Sequence, residues 1–346
     1  MKLQADKITP EVDFFEEINS VEQNKKIKKK SFDELEQKDF TSQRQVFRSF
    51  FFKGYNDYDV YVRAWDNIAK PKGVVLLAHG MVEHGLRYDD FGRFLNGKGY
   101  ILIVPDCRGH GKTAGAPDMV SVYEGDIYMD IVRDNMKLAD QLINMYKVPL
   151  IIMGHSFGSF ITQTFIQMYH KHSAVIIMGS SYYKGSMATK MGKMVAGVTK
   201  AFKGKNAKSQ MIYNITFGSY AKGKEDGNWL THDKQIFKDY CEDPYCGAVC
   251  TAQFYSSFFN GLNNLYHTAG LKMIDKDVPM LITSGALDPL AGKKHKVIDK
   301  LPKMFKAKGV KDVSYKIWEN GYHEVLNETF KEEVYNYIAD WLDAKI

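Results

Sequence analysis

From residue 73 onward the apolar positions fall in short, nearly unbroken runs: "GVVLLA" at 73–78, "YILIVP" at 100–105, "VPLIIM" at 148–153, "AVIIM" at 174–178, "VPMLIT" at 278–283 and "VSYKIW" at 313–318. Each is rich in β-branched residues and short for a buried helix, which predicts strands covered on both faces. Between most of them the pattern becomes helical, as at 121–146 and 157–171. Strands alternating with helices predict an α/β fold: a mostly parallel central sheet with helices on both faces. Ahead of the first run, "RQVFRSFFFKG" and "DYDVYVRAW" flank a Gly-Tyr-Asn-Asp turn and predict a hairpin. The alternation breaks at 180–272, a stretch without comparable strand signals, which is expected to be an inserted, largely helical lid. The core then comprises 45–179 and 273–346. Residues 1–44 mix Lys, Glu, Asp and Gln with scattered apolar positions and read as an amino-terminal arm, helical or flexible.

Charge changes this picture in one place. With 47 basic and 41 acidic residues the net charge of +6 is too even for a general nucleic-acid binder. Residues 181–210, however, carry seven lysines and no Asp, Glu or Arg. Within that window Met187, Met191, Met194, Val198 and Phe202 recur at helical spacing. A basic amphipathic helix of this kind is a surface that can touch anionic lipid. The alternative is a lid helix whose methionines pack on the core or line a pocket. Gly192 and Gly197 oppose the helix, each by about 1 kcal/mol relative to alanine. No signal-peptide pattern and no apolar run of bilayer length is visible, and four cysteines in 346 residues do not form a disulfide scaffold. The expected location is the cytoplasm, with at most peripheral membrane contact. Cys241, Cys246 and Cys250, with His232 nearby, are not spaced as a structural zinc site, so no metal is expected.

The candidate chemistry lies in "LIIMGHSFGSF" at 150–160, where Ser156 stands between Gly154 and Gly158 at the junction of a predicted strand and a predicted helix. Ligands of open parallel sheets bind beyond the carboxyl ends of the strands. Small residues on either side permit a tight turn that lifts the hydroxyl out of the packing beside free helix N–H groups, a nucleophile elbow. A serine hydroxyl needs a general base and a group to orient that base, and on this topology the order is Ser, acid, His. "SGALDPLAG" supplies Asp288 after one strand and "ENGYHEVLNE" supplies His323 after the next, bringing all three to one sheet edge. Asp106 and Glu319 are rival carboxylates, Glu319 lying too near His323 along the chain to orient it easily. Donors for an oxyanion are expected from the backbone of Phe157 and of Met81 in "HGMVEHGLRY", where His79 and Gly80 allow close backbone approach. Glu83, His84 and Arg87 would brace that loop, with proton transfer by His84 as the lesser alternative.

In order and spacing, "HGMVEHGLRY", "PDCRGHGKT", "GHSFG", "GALDPLAG" and "GYHEVLNE" resemble the monoacylglycerol lipase and lysophospholipase-like branch of the α/β-hydrolase superfamily, over roughly residues 46–346. "DYCEDPYCGAVCTAQFYSSFFNGL" is similar to the lid stretch of bacterial members, and Cys246 matches a cysteine there. The resemblance implies Ser156 as nucleophile, Asp288 as acid, His323 as base and Met81 with Phe157 as oxyanion donors. It further implies hydrolysis of carboxylic esters with a single acyl chain, monoacylglycerol or lysophospholipid, through an acyl-serine intermediate and without a cofactor. Phe157 stands where many relatives carry methionine, which leaves the backbone donor intact and narrows the acyl side. An amino-terminal peptidase of the same fold is the alternative enzyme. It would need lid carboxylates, for which Glu225, Asp226, Asp233, Asp239, Glu242 and Asp243 are available. A non-catalytic binding protein on this scaffold is a further alternative, against which the complete Ser, Asp and His set argues.

Overall fold

Eight strands form one sheet in the order β1-β2-β4-β3-β5-β6-β7-β8. They are β1 (Arg48–Lys53), β2 (Asp59–Trp65), β3 (Gly73–Ala78), β4 (Tyr100–Pro105), β5 (Leu150–His155), β6 (Ala174–Met178), β7 (Met280–Gly285) and β8 (Val313–Trp318). The computed structural model describes residues 47–346 apart from 184–186 and 223, so the expected arm at 1–44 lies outside the described residues. The six strands from β4 to β8 are parallel, while β1 and β2 form the antiparallel hairpin, with Phe50 opposite Val62. Four apolar runs coincide with strands. The other two are displaced by two residues because each contains a proline, which has no N–H to donate to the ladder. Pro149 and Pro279 only accept, from the N–H groups of Val74 (2.9 Å) and Val175 (3.0 Å). Both strands instead extend at their carboxyl ends, to His155 and Gly285, which carries the ladder up to the candidate site.

Helices cover both faces: α1 (Asp89–Gly97), α2 (Ile127–Tyr146) and α3 (Phe157–Phe165) early in the chain, then an insertion between β6 and β7 containing α4 (Met187–Lys203), α5 (Lys234–Glu242), α6 (Ala252–Asn264) and α7 (Thr268–Met273). The fold closes with α8 (Lys300–Ala307) and α9 (Lys331–Lys345). Every residue of β3 is buried, as covering on both faces requires. Val75 and Leu77 pack with Phe91 of α1 and Ile338 of α9, while Leu76 meets Ile161 and Phe165 of α3. Each such side chain taken fully out of water contributes roughly 1.5–3 kcal/mol. Helix α2 starts six residues later than its apolar pattern suggests, because Asp126 caps it by accepting the Met129 N–H (3.3 Å). The residues before the cap are used elsewhere: the Ser121 hydroxyl oxygen accepts the Thr251 N–H (2.9 Å) and its carbonyl the Thr251 hydroxyl (2.8 Å), fixing the start of α6. Within the insertion Gly192 lets α4 cross α6 closely, since a Cβ there would enter the Phe259 ring.

Candidate active site

Ser156 occupies the turn between β5 and α3 at φ 53°, ψ −118°. A non-glycine residue in that region costs about 1–3 kcal/mol and persists only where its surroundings impose it. Here the Ser156 N–H donates to the Met178 carbonyl (3.0 Å), and its carbonyl accepts the N–H (2.9 Å) and hydroxyl (2.5 Å) of Ser159. The flanking glycines are required by close approach. A Cβ on Gly154 would strike the Gly158 carbonyl and the Thr162 hydroxyl, and one on Gly158 the carbonyls of Ala78 and His79. The amino end of α3 is thereby pressed against the end of β3, which places the Phe157 amide beside the loop carrying Met81. Among the described residues no acceptor takes the N–H of Met81 or Phe157.

Asp288 and His323 follow β7 and β8, and both are buried. One carboxylate oxygen of Asp288 accepts the Leu290 N–H (2.8 Å); the other faces His323 Nδ1 at 2.9 Å and accepts the Ser284 hydroxyl (3.2 Å). With Nδ1 donating to the carboxylate, Nε2 is left as the basic nitrogen. His323 and Ser156 wall a common small cavity. The rival carboxylates are placed elsewhere. Asp106 is held by Arg63 (2.5 Å) and by the N–H groups of Gly85 and Lys112 (2.8 Å each), and Glu319 is exposed. His84 pairs with Asp243 (2.8 Å) and lines neither cavity at Ser156.

The loop of Met81 is tightly braced. His79 Nε2 accepts the Cys107 N–H (2.9 Å) and Nδ1 donates to the Gly80 carbonyl (2.7 Å), while burial pushes its pKa down and keeps it neutral. Glu83 accepts the Gly80 N–H (2.5 Å), the Tyr88 hydroxyl (2.9 Å) and Arg87 (2.7 Å). Arg87 also forks onto both oxygens of Glu324, at 2.6 and 2.7 Å, so one buried guanidinium ties this loop to the residue after His323. Burial alone would raise both carboxyls; Arg87 outweighs it and holds Glu83 well below, and Glu324 below, the ordinary range. His155 touches this network through Tyr88 (3.1 Å) and Glu83 (3.4 Å), and its ring lies 4.9 Å from that of His323. Burial lowers the His155 pKa, but Glu83 reverses the shift and raises it. Bracing by Glu83 and Arg87 was expected, whereas Glu324, His155 and Trp229 were not. Glu324 and His155 adjoin the predicted base and nucleophile in sequence, which was a usable signal. Trp229, 4.9 Å from the His323 ring, comes from the insertion and offered none.

Ser156 also opens into an apolar cavity of about 330 Å³, lined by Phe157, Phe160, Tyr183, Met191, Phe258 and Leu262 among others. The Phe157 ring forms part of this wall, 5.5 Å from Phe254 and 5.4 Å from Phe258. On α4, Met187, Met191, Met194, Val198 and Phe202 are 69%, 54%, 62%, 53% and 85% exposed, so the stripe faces outward even though Met191 also reaches the cavity. Lys190, Lys193 and Lys200 are exposed beside it, and Lys184 lies outside the described residues. The four cysteines are free, and His232 pairs with Glu328 (3.0 Å). Among the described residues the His, Cys and carboxylate group that converges is instead His84, Asp243 and Cys246.

A parallel sheet with a strained serine at the end of β5 and an Asp–His pair beyond its last two strands is the α/β-hydrolase fold. Residues 69–330 match the family described as serine aminopeptidase, S33, and the chain belongs to that family. Within it the chain is monoacylglycerol lipase-like. It is 24% identical over 296 residues to the monoacylglycerol lipase of Mycolicibacterium smegmatis, covering 84% of this chain and 95% of that one. It is 26% identical over 281 residues to the monoglyceride lipase of Homo sapiens, covering 79% and 84%. Among solved structures, a thermostable carboxyl esterase from Bacillus coagulans superposes with a TM-score of 0.76 at 22% identity, over 87% of this chain and 99% of that one. No helix among the described residues is long and apolar enough to cross a membrane.

Proposed function

We propose that this chain hydrolyses carboxylic esters bearing one acyl chain, monoacylglycerol or lysophospholipid, through an acyl-serine intermediate on Ser156. The observation that carries the reading is the position of Ser156, at the meeting of a buried Asp–His pair and an apolar cavity. His323 Nε2 takes the Ser156 proton as Oγ attacks the ester carbonyl. Asp288 holds the imidazole in the required tautomer and stabilises the imidazolium that forms. The amides of Met81 and Phe157 receive the oxyanion, a contribution of roughly 10²–10³ in turnover per donor. The imidazolium returns its proton to the departing alcohol, and a water then repeats the sequence to release the acid. Residues 180–272 act as the lid, their helices walling the acyl side. The outward stripe of α4 with its lysines docks on anionic lipid, where an acyl chain enters the cavity.

Two of the relatives, a monoacylglycerol lipase and a monoglyceride lipase, support the reading. An aminopeptidase would need a carboxylate near Ser156 to hold a substrate ammonium, and none of the described acidic side chains of the insertion lines the large cavity. The deciding experiment is labelling of Ser156 by a fluorophosphonate, combined with turnover on monoacylglycerols, lysophospholipids, p-nitrophenyl esters and aminoacyl anilides. Labelling with ester turnover well above anilide turnover is expected. Preference for the anilides would establish the peptidase, and an unlabelled serine would overturn the mechanism.

A further inference from the structure

Two cavities meet at Ser156, and they differ greatly in size. The apolar one measures about 330 Å³, whereas the one shared with His323 measures about 20 Å³ and is walled by Glu83, Tyr240, Trp229 and Leu230. A single water requires about 10–15 Å³ and at least two polar partners. As it stands the small cavity has room for about one water, with Ser156 and His323 among its polar walls, and not for a glyceryl group. Its roof is Trp229, half-buried, 4.9 Å from the His323 ring at 36° and 5.2 Å from that of Tyr220.

The segment bearing Trp229 is fastened to the loop that carries the base. The Asn228 side chain accepts the N–H groups of Leu230 (3.1 Å) and Thr231 (3.2 Å) and donates to the Thr231 carbonyl (2.6 Å). The Glu324 N–H donates to the Leu230 carbonyl (2.8 Å), and the Thr231 hydroxyl to the Asn327 carbonyl (2.6 Å). The backbone that bears Trp229 is thus anchored to the loop of the base, and the indole lies over the imidazole.

The side of Ser156 next to His323 is where the acyl acceptor must stand, because the imidazole removes the acceptor's proton as its oxygen attacks the acyl carbon. Water attack breaks the acyl–Ser156 bond to give the acid. Attack by an alcohol gives a new ester, with the same proton path through His323. We propose that Trp229 selects the acceptor by size, closing the base side after the first alcohol has left so that water, rather than a returning or foreign alcohol, takes the acyl group. This rests on the acyl-serine reading above and names the residue that makes such an enzyme a hydrolase rather than a transferase.

The test measures how the acyl-enzyme partitions. The pure protein is given p-nitrophenyl butyrate with added methanol or glycerol, and the new ester is compared with the free acid. Wild type should transfer to glycerol far less than to methanol. Trp229→Ala should raise the glycerol-to-water ratio by about tenfold or more, the scale on which pocket shape discriminates, with a smaller change for methanol. Trp229→Phe, which keeps an aromatic ring at the roof and guards against misfolding, should stay near wild type. An unchanged glycerol ratio in Trp229→Ala, or equal rises for both alcohols, overturns size selection while fluorophosphonate labelling of Ser156 keeps the serine-hydrolase reading intact. Absence of both labelling and p-nitrophenol release in the wild type would instead remove the reading on which the inference rests.

Discussion

Ser156 sits in a region of φ and ψ that serine avoids, held there by three hydrogen bonds and by two glycines that no larger residue can replace. Such strain is a reason to look for function, and the Asp288–His323 bond at the same sheet edge supplies the partner. If the three side chains act as one unit, Ser156→Ala and His323→Ala should each lose on the order of a millionfold in kcat, and the double variant little more. Asp288→Asn should lose roughly ten-thousandfold, through the wrong imidazole tautomer. Glu319→Gln, altering an exposed side chain, should stay close to wild type. Steady-state kinetics on a soluble p-nitrophenyl ester decide the matter: a tenth of wild-type activity surviving in His323→Ala would reassign the base. The positions of Ser156, Asp288 and His323 at one sheet edge could all be read from local pattern, because each follows a strand whose end is visible in the sequence. The Arg87 fork onto Glu324 could not, since it joins residues 237 positions apart and nothing local marks the pair.

Helix α4 shows where pattern stops and packing takes over. Its periodicity predicts an amphipathic helix without revealing which way the stripe points, because the same spacing serves a core face or a lipid face. Folding resolves the ambiguity: Gly192 meets Phe259 of α6, Ala196 is buried, and the methionine stripe is left largely exposed, with Met191 also reaching the cavity. An exposed row of large apolar residues among lysines is costly to leave in water and suits a charged bilayer surface. Each lysine near an anionic surface contributes about 1 kcal/mol, and that attraction is screened by salt. Binding to anionic vesicles should therefore fall steeply with ionic strength and fall further in Lys190→Glu, Lys193→Glu and Lys200→Glu. Turnover of a short soluble ester should be unaffected by these changes, since Ser156 and its partners lie on the sheet edge. Cosedimentation with anionic and neutral vesicles provides the check. Equal, salt-insensitive binding to both, or binding to neither, would leave α4 as a cavity wall only.

At the scale of the whole molecule, the legible part was the sheet. Interior parallel strands must be apolar at nearly every position, and that demand marks them whatever surrounds them, as in the fully buried β3 and β4. The insertion obeys no such demand; its course depends on contacts such as Gly192 on Phe259 and Thr231 on Asn327, which join segments only after folding. Buried histidines are a further property that sequence does not disclose, and they bear on stability. His172 precedes β6, at the end of the sheet remote from Ser156; burial lowers its pKa to about 4, and His110, buried against Phe157, is lowered to about 3. Above the unfolded value of about 6.5 both are neutral in either state and the fold keeps its full stability. As pH falls below that value the unfolded chain takes up protons that the folded chain refuses, so stability is lost progressively until the folded pKa is reached. For His172 alone the loss between about pH 6.5 and 4 amounts to about 3 kcal/mol. His172→Gln cannot titrate, so its urea-unfolding free energy should decline less steeply across this range, by about 2 to 3 kcal/mol at pH 4.5 once both proteins are referred to their own values at pH 7.5. Referring each protein to itself removes any packing change caused by the substitution. Parallel curves for the two proteins would mean that His172 accepts its proton in the folded state, and acid sensitivity would then have to be assigned to other groups.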